Sequence, residues 1–411
     1  MSKFPVADTT VQRWLRDGPL ADYAPMYLDR LRQGRYCEKT INHKLHALAH
    51  VGRWMAQCRC DVDTLDERRV ERFLHDHVPR CRCAPPLRRY PAAERAVFWQ
   101  LLALLRERGV VAAAQAPRSP IDDQLQRYDA HMRDARGLAC STREGRLRIV
   151  QRLLLSTRPD ELTPEHIRRF VADQLEQRNT ISNATTINAA LRDYLRWRAT
   201  CGDVVQPLLG VLARPAHWRM TSLPRSLTND EVARVLDACA ASRGSAKRSV
   251  AVVRLALDLG LRVGEIAHLQ LDDIDWERGT ITLRGTKSRR QGVLPLQHAA
   301  GQALADYIRH DRPSSCHRAV FVRHLAPRGQ SMGSEALGKV VKRVFLRAGI
   351  AHGRSHALRH TLACQLIDGG SPIKEVADIL RHRSLDTTQI YAKVDLRALA
   401  EVVMPWPGST R

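Results

Sequence analysis

The sequence predicts a mainly α-helical fold with one small antiparallel β-sheet in the C-terminal part of the chain. Segments with apolar residues at spacings of three and four recur, and several stop at a glycine, as amphipathic helices do. Two short runs, TITL at 280–283 and GVLPL at 292–296, indicate strands, and the polar, basic stretch between them predicts a hairpin. At 411 residues, the chain is long enough for two or three domains.

Two stretches of the N-terminal half resemble each other and predict a duplicated helical domain. They are EKTINHKLHALAHVGRWM followed by LDERRVERFL, and CSTREGRLRIVQRLLL followed by LTPEHIRRFV. When their apolar positions are aligned, Val51 matches Leu153 and Val70 matches Ile167, and each copy closes with another amphipathic helix. We expect one helical domain in residues 1–115 and a second in residues 119–205.

A third domain is expected at residues 227–411, after a linker at residues 206–226 that contains prolines and no apolar period. Thr228 can cap the helix that NDEVARVLDACA forms, because its hydroxyl can accept a hydrogen bond from a backbone N–H of the first turn. The apolar helix SVAVVRLALDLG then stops at Gly260. The predicted hairpin and several further helices complete this domain.

Charge and cysteine content favour some functional classes over others. Lys and Arg total 66 against 43 Asp and Glu, a net charge of +23 spread along the chain, which suits a polyanionic partner; solvated surface charge is the alternative. No apolar run is long enough to span a membrane and no basic, apolar leader is evident, so we expect a cytoplasmic, nucleoid-associated protein.

The ten cysteines do not indicate a secreted disulfide framework, and five are expected to be small buried thiols: Cys140, Cys201, Cys239, Cys316 and Cys364.

Polar residues that could take part in catalysis are concentrated in short segments of the third domain. They lie in GLRVGE at 260–265, TKSRR at 286–290, HALRH at 356–360 and RHRSLDTTQIYAKVD at 381–395. Taken singly, each has an ordinary structural explanation, such as a helix cap, a turn lysine or a core aromatic. In the last segment, Ser384 can cap a short helix that carries Tyr391.

In this order and local context, these residues resemble the pattern of the tyrosine recombinases, the phage-integrase-like site-specific DNA recombinases. The resemblance covers about Thr228 to Trp406, and it maps the family's catalytic positions onto Arg262, Lys287, His356, Arg359, His382 and Tyr391. It implies a catalytic domain at 227–411, preceded by a DNA-clamping core-binding domain at 119–205. The first repeat, as a diverged copy of that fold, would give two tandem DNA-clamping helical domains, an arrangement that is unusual for the family. The resemblance also implies no cofactor, double-stranded DNA as partner, and identical or related subunits that form a dimer on each site and a tetramer in synapsis.

The chemistry of phosphodiester cleavage fits these residue types. Tyrosine has a reference pKa near 10, so its attack on phosphorus requires a base, for which we favour His356. Arg262 and Arg359 can hold the non-bridging oxygens, Lys287 can protonate the leaving 5′ oxygen, and His382 can donate a hydrogen bond. Glu265 is expected to orient Arg262 and His356. The bond energy is kept in a 3′-phosphotyrosine, so no metal or nucleotide is needed.

Further basic residues are expected to contact DNA. In the third domain they are Arg284, Arg289, Arg290 and Arg381, and in the first repeat Arg53 and Arg69. Arg381 stands where the family usually has a glycine before the second histidine, which implies either a shifted His382 or an extra phosphate contact.

The first repeat also contains CRC at 58–60, HDH at 75–77 and CRC at 81–83. We favour incidental thiols beside a basic loop, with no metal. A zinc site of Cys81, Cys83, His75 and His77 is the alternative, although its Cys-x-Cys spacing is not the usual knuckle and the two histidines lie two positions apart.

Three functions are compatible with the resemblance. The first is a site-specific recombinase, as an integrase or a transposon-encoded enzyme. The second is a DNA-relaxing enzyme similar to type IB topoisomerases, which acts on one duplex. The third is a catalytically idle DNA-binding relative, against which the intact Tyr391, Arg262 and Arg359 argue.

Overall fold

The structure is a computed structural model that describes residues 4–83, 87, 91–112, 119–157, 162–177, 181–212, 225–242, 244–284, 292–351 and 353–381. The chain divides into two compact units, one of residues 1–111 with 222–411 and the other of residues 112–221. Within the described ranges, no helix is both long and apolar enough to cross a membrane.

The N-terminal part of the first unit is a bundle of helices around an apolar core. The helices are α1 Thr9–Asp17, α2 Ala24–Gln33, α3 Glu38–Gln57, α4 Glu67–Arg72 and α5 Pro91–Glu107. Asp66 caps α4 by accepting a hydrogen bond from the N–H of Arg69 at 2.8 Å, and α4 continues into a π-helical turn at Phe73–His77. Phe73 and Phe98 pack edge to face with Trp54 in the middle of the bundle. This core holds the long helix α3 buried on most of its sides.

The second unit is a smaller bundle of five helices among the described residues, α6 Pro120–Ala130, α7 Cys140–Ser156, α8 Pro164–Gln177, α9 Ile181–Thr200 and α10 Gln206–Gly210. Ser119 and Asp122 form a capping box that starts α6. At its centre, buried Asp193 accepts a hydrogen bond from the Tyr128 hydroxyl at 2.9 Å and also pairs with Arg146. Positions aligned between the two repeats, Val51 with Leu153 and Val70 with Ile167, are buried in both. The common origin of the repeats stays a prediction.

The C-terminal part of the first unit packs helix α12 against other helices and also contains a small sheet. Its elements are α11 Asn229–Ala240, α12 Ala246–Asp258, α13 Val263–His268, β1 Ile274–Asp275, β2 Thr280–Leu283, β3 Gly292–Pro295, α14 His298–His310, α15 Ser334–Arg347, α16 Ser355–Asp368 and α17 Ile373–Ile379. The mainly helical fold with a small antiparallel sheet is thus confirmed.

Local sequence signals agree with most of these elements. Helix α10 lies at the start of the segment 206–226 that was expected to be a linker, because Leu208 packs into the core of the second unit. The hydroxyl of Thr228 caps α11 at Glu231, and the hairpin pairs β2 with β3 antiparallel, with Ile281 opposite Leu294. Strand β1 was not predicted, because its two residues are too short to show an alternation. The burial predicted for five cysteines is wrong for Cys140, Cys201 and Cys316, which are exposed because they lie at a helix start, in a turn and in a loop.

Candidate active site

The described part of the candidate site lies where three helices of the C-terminal part approach one another: the end of α12, the start of α16 and the end of α17. Arg262, His356 and Arg359 belong to it. The predicted catalytic residues Lys287, His382 and Tyr391, and the predicted DNA contacts Arg289 and Arg290, lie outside the described residues.

Arg359 is the most deeply placed of these residues. It lies in the second turn of α16 and is 3% exposed. Its guanidinium donates hydrogen bonds to two main-chain oxygens, those of Gly260 and Leu380, just beyond the ends of α12 and α17. Carbonyl groups at a helix C-terminus carry partial negative charge, so these two ends stabilise a buried cation. The backbone therefore fixes the guanidinium of Arg359.

Gly260 is required by the geometry of this contact. Its φ of +60° lies in the left-handed region, where a side chain costs roughly 1–2 kcal/mol. A Cβ at this position would lie 2.8 Å from Leu380 Cδ2 and 3.0 Å from Leu362 Cδ2. The glycine thus ends α12 and also lets the ends of α12 and α17 approach each other closely.

Replacing Gly260 by alanine is expected to lower the free energy of unfolding by about 2–4 kcal/mol, from backbone strain plus overpacking. Chemical denaturation of the full chain measures this loss. Gly264→Ala, in the same motif, is the matched control. Gly264 lies inside α13 with nothing within 4 Å of its would-be Cβ, so that change should be neutral or stabilise by up to about 1 kcal/mol. Equal effects of the two substitutions would contradict the packing described for Gly260.

Arg262 is oriented by a buried carboxylate. It stands immediately before α13, where its backbone N–H donates to Glu265 Oε2 at 2.9 Å and its Nη1 donates to Glu265 Oε1 at 2.8 Å. The Glu265 side chain is 5% exposed, whereas that of Arg262 is 26% exposed. The guanidinium is therefore held from the protein side and reaches the surface.

Arg381 shares the same carboxylate. Its Nη2 donates to Glu265 Oε2 at 3.0 Å, and its side chain is only 13% exposed. Its φ of +54° is the left-handed conformation that the usual glycine of the family would adopt at low cost. The ion pair offsets part of that strain and directs the side chain inward. A phosphate contact by Arg381 stays a prediction, and so does the role of Glu265 toward His356.

The charge on Glu265 is favoured by its neighbours. Burial alone would raise the pKa of its carboxyl group, but the backbone N–H of Arg262 and the charges of Arg381 and Arg262 outweigh burial. The pKa of Glu265 therefore lies below its ordinary value. A depressed carboxyl pKa contributes stability above the unfolded-state pKa, and this contribution disappears as the pH falls through the folded-state pKa.

Glu265→Gln is therefore expected to lower the free energy of unfolding at pH 7 by about 3 kcal/mol, because it leaves two partly buried arginines without their partner. The difference from the wild type should narrow as the pH falls from about 4.3, the ordinary pKa of a glutamate in the unfolded chain, through the lower folded-state pKa of Glu265. Denaturation curves recorded across this pH range measure both effects. Glu335→Gln is the control, because its pair with Lys339 is exposed to solvent and contributes little to stability. A difference that does not change with pH would contradict the ionic role of Glu265.

His356 lies in the first turn of α16 and is exposed, so its ring is accessible from solvent. Its ring centroid is 6.4 Å from that of His360. The pKa of His360 is lowered, by burial first and then by the charges of His356 and Arg359. Of this histidine pair, His356 is therefore the more accessible one for proton transfer with a bound molecule.

Three further arginines that were predicted to contact DNA are described by the structure and lie in different environments. Arg284 is exposed at the end of β2, and its Nε pairs with Asp273 Oδ1 at 2.8 Å. Arg69 is half-buried on α4. Arg53 is half-buried on α3, with its guanidinium 5.8 Å from the centroid of the Trp14 ring. This partial burial makes Arg53 less suited to a phosphate contact than an exposed arginine.

The four side chains that could bind a metal differ by one residue from the set considered in the sequence analysis. His77, Cys81 and Cys83 converge, but the fourth member is His50 on α3. His75 instead is exposed and pairs with Glu71 at 2.8 Å. Local spacing could not identify His50, which lies 27 residues before His77.

Comparisons with known proteins agree on one family. Residues 225–397 match the family described as "Phage integrase family". The chain is 31% identical over 406 residues to "Putative integrase/recombinase y4rA" of Sinorhizobium fredii (strain NBRC 101917 / NGR234), and the match covers 96% of each chain. It is 31% identical over 309 residues to "Tyrosine recombinase XerD" of Mycobacterium tuberculosis (strain ATCC 25618 / H37Rv), covering 70% of this chain and 96% of that one.

Two solved structures share the fold. The XerH site-specific recombinase bound to palindromic difH substrate aligns with a TM-score of 0.53 and 17% identity, over 88% of this chain and 95% of that one. The Tn1549 transposon integrase in complex with transposon right end DNA aligns with a TM-score of 0.52 and 18% identity, over 67% and 99%.

Proposed function

Because the chain belongs to the phage integrase family of tyrosine recombinases, we propose that it is a site-specific DNA recombinase that cleaves and rejoins DNA through a 3′-phosphotyrosine. The observation that carries this proposal is the way the two arginines are held. Arg262 is bound by the buried Glu265, and Arg359 is bound by the carbonyls of Gly260 and Leu380. Arginines oriented in advance in this way can stabilise the negative charge of a phosphorane.

In the proposed reaction, Tyr391 is the nucleophile. A bond forms between its phenolic oxygen and the phosphorus, and the bond from phosphorus to the 5′ oxygen breaks. His356 accepts the tyrosine proton, and Lys287 donates a proton to the leaving 5′ oxygen. Arg262 and Arg359 hold the non-bridging oxygens, and His382 donates a further hydrogen bond. Attack by a 5′ hydroxyl on the phosphotyrosine reverses these steps and rejoins the strand.

The proposal is tested with a plasmid that carries two copies of the DNA flanking the chain's own gene, where footprinting would first locate a binding site. A recombinase converts this plasmid into deletion or inversion products and leaves a plasmid without the site supercoiled. Relaxation of the site-free plasmid without any recombinant product would support the topoisomerase-like alternative. Binding without cleavage of either plasmid would support the catalytically idle one.

We further propose that the partner is double-stranded DNA and that subunits assemble on it, two on each site and four in synapsis. The partner subunits are copies of this chain or related recombinases. The net charge of +23 supports a DNA partner, because phosphate contacts dominate the affinity of such complexes. The mass of complexes formed on one site and on two sites measures the assembly.

The N-terminal helices are proposed to bind further DNA phosphates through α4. Arg68 and Arg72 on this helix are exposed. The double substitution Arg68→Ala/Arg72→Ala in the full chain should reduce the slope of log binding constant against log salt by about 0.9 for each phosphate that is no longer neutralised. Arg13→Ala, at an exposed position of α1, is the control and should leave the slope unchanged. If the α4 variant keeps the wild-type slope on one site and impairs only the joining of two sites, these helices have a protein-binding role instead.

A further inference from the structure

Four side chains converge inside the N-terminal helical bundle, in the part of the sequence that the recombination chemistry does not use. They are His50 in the middle of α3, His77 at the end of the π-helical turn, and Cys81 and Cys83 in the segment that follows. One ligand atom from each lies within 4.8 Å of all the others. His50, Cys81 and Cys83 are buried and His77 is half-buried.

Three of the distances between these atoms are close to those expected between ligands arranged tetrahedrally around a zinc ion. With Zn–N bonds of about 2.0–2.1 Å and Zn–S bonds of about 2.3 Å, ligand atoms lie about 3.3–3.8 Å apart. His50 Nε2 lies 3.2 Å from His77 Nε2 and 3.1 Å from Cys81 Sγ, and His77 Nε2 lies 3.8 Å from Cys83 Sγ. Two nitrogens and two sulfurs at such spacing are a donor set that zinc prefers.

The surroundings of the cluster orient the four side chains as metal ligands. His50 Nδ1 lies 2.5 Å from Glu94 Oε1, and both side chains are almost fully buried. A carboxylate on Nδ1–H leaves the lone pair of Nε2 directed at the cluster, an arrangement typical of zinc-binding histidines. The His77 ring stacks on Phe73 at a centroid distance of 5.4 Å. The backbone N–H of Cys83 donates to Cys81 Sγ at 3.2 Å, a contact that stabilises a thiolate.

The charges around the cluster also fit a divalent cation. Two thiolates neutralise Zn²⁺, and two neutral imidazoles add no charge. Among the charged neighbours that the structure describes, Glu94 is negative, and Arg53 is positive and interacts with Cys83 and His77. The bound site is therefore close to neutral overall, which makes its burial inexpensive compared with that of an isolated ion.

We propose that His50, His77, Cys81 and Cys83 bind one structural zinc ion. The ion joins α3, the π-helical turn and the Cys81–Cys83 segment, and through Glu94 it is linked to α5. All four positions around the metal are taken by protein side chains, which is typical of structural zinc and leaves no position for a substrate. The proposal replaces the preference for incidental thiols that the spacing alone suggested.

The chain provides its own matched controls. The other Cys-x-Cys segment, Cys58 and Cys60, has the same spacing, but Cys58 is exposed and Cys60 Sγ faces the Asp61 carbonyl and the Thr64 hydroxyl. His75 is next to the cluster in sequence and pairs with Glu71 outside it. Substitutions at these positions remove the same residue types without touching the proposed ligands.

The test is the metal content of the full-length chain, purified without a histidine tag or chelator and measured by mass spectrometry of the elements. We expect about one zinc per chain in the wild type and in the Cys58→Ser/Cys60→Ser and His75→Gln controls. We expect less than about one tenth of that in Cys81→Ser/Cys83→Ser and in His50→Gln. Cobalt added to chelator-treated wild type should give the visible absorption bands of tetrahedral cobalt bound to thiolate.

The wild type alone can overturn the proposal, so the test does not depend on whether the ligand variants fold. Wild-type chain without stoichiometric zinc, and without tetrahedral bands after cobalt addition, would mean that the four side chains only bind one another by hydrogen bonds. Zinc retained at the wild-type level in Cys81→Ser/Cys83→Ser, or absent from the Cys58→Ser/Cys60→Ser control, would place the metal elsewhere.

Discussion

Replacing Tyr391 by phenylalanine is expected to abolish covalent attachment of the chain to DNA and to leave DNA binding unchanged. The substitution removes only the phenolic oxygen, which is the atom that forms the bond to phosphorus in the proposed reaction. A nicked suicide substrate traps the adduct because the short cleaved strand diffuses away before it can be rejoined. Denaturing electrophoresis then separates the adduct from the free chain, and a mobility shift measures binding.

Tyr36→Phe is the control for Tyr391→Phe. Tyr36 lies among the N-terminal helices, in the segment between α2 and α3, so this variant should form the adduct at the wild-type level. If the adduct persists in Tyr391→Phe, the nucleophile is another residue, and peptide mapping of the adduct would identify it. Loss of DNA binding in Tyr391→Phe would instead indicate a structural role for the hydroxyl.

Replacing Lys287 by alanine is expected to slow cleavage of ordinary DNA by roughly 10²–10⁴-fold, the usual contribution of a general acid. A substrate with a 5′-bridging phosphorothiolate should be cleaved by the same variant at nearly the wild-type rate, because the sulfur leaves without taking up a proton. Single-turnover rates on the two substrates measure the difference.

Lys342→Ala, on α15, is the control for Lys287→Ala and should cleave both substrates at the wild-type rate. If Lys287→Ala cleaves both substrates more slowly by the same factor, this lysine is not the general acid. It would then be a phosphate-binding or structural residue, and the proton for the 5′ oxygen would have to come from another group.

Features that depend on neighbours in the sequence were predictable. The Thr228 cap, the stop of the apolar helix near Gly260 and the β2–β3 hairpin follow from one to a few residues each, and the structure contains them. The order of motifs in the third domain was sufficient to identify the family, because family patterns are defined by residue types in local context.

Features that depend on contacts between distant segments were not predictable. Arg381 and Glu265 are 116 residues apart, so only the folded chain shows that the unusual residue before His382 binds the carboxylate that also binds Arg262. His50 was missed for the same reason. The environment of Arg53, which we expected to contact DNA, was missed because α3 is enclosed on most of its sides by helices distant in the sequence.

The way Arg359 is held has a genetic consequence. Its two described partners are main-chain oxygens, which every amino acid supplies, so no side-chain substitution at Gly260 or Leu380 can delete them directly. What can be altered is the direction in which α12 and α17 end. Inactivating alleles in this region should therefore be concentrated at positions that set the backbone path, with Gly260 foremost, while Leu380 should tolerate other apolar residues of similar volume.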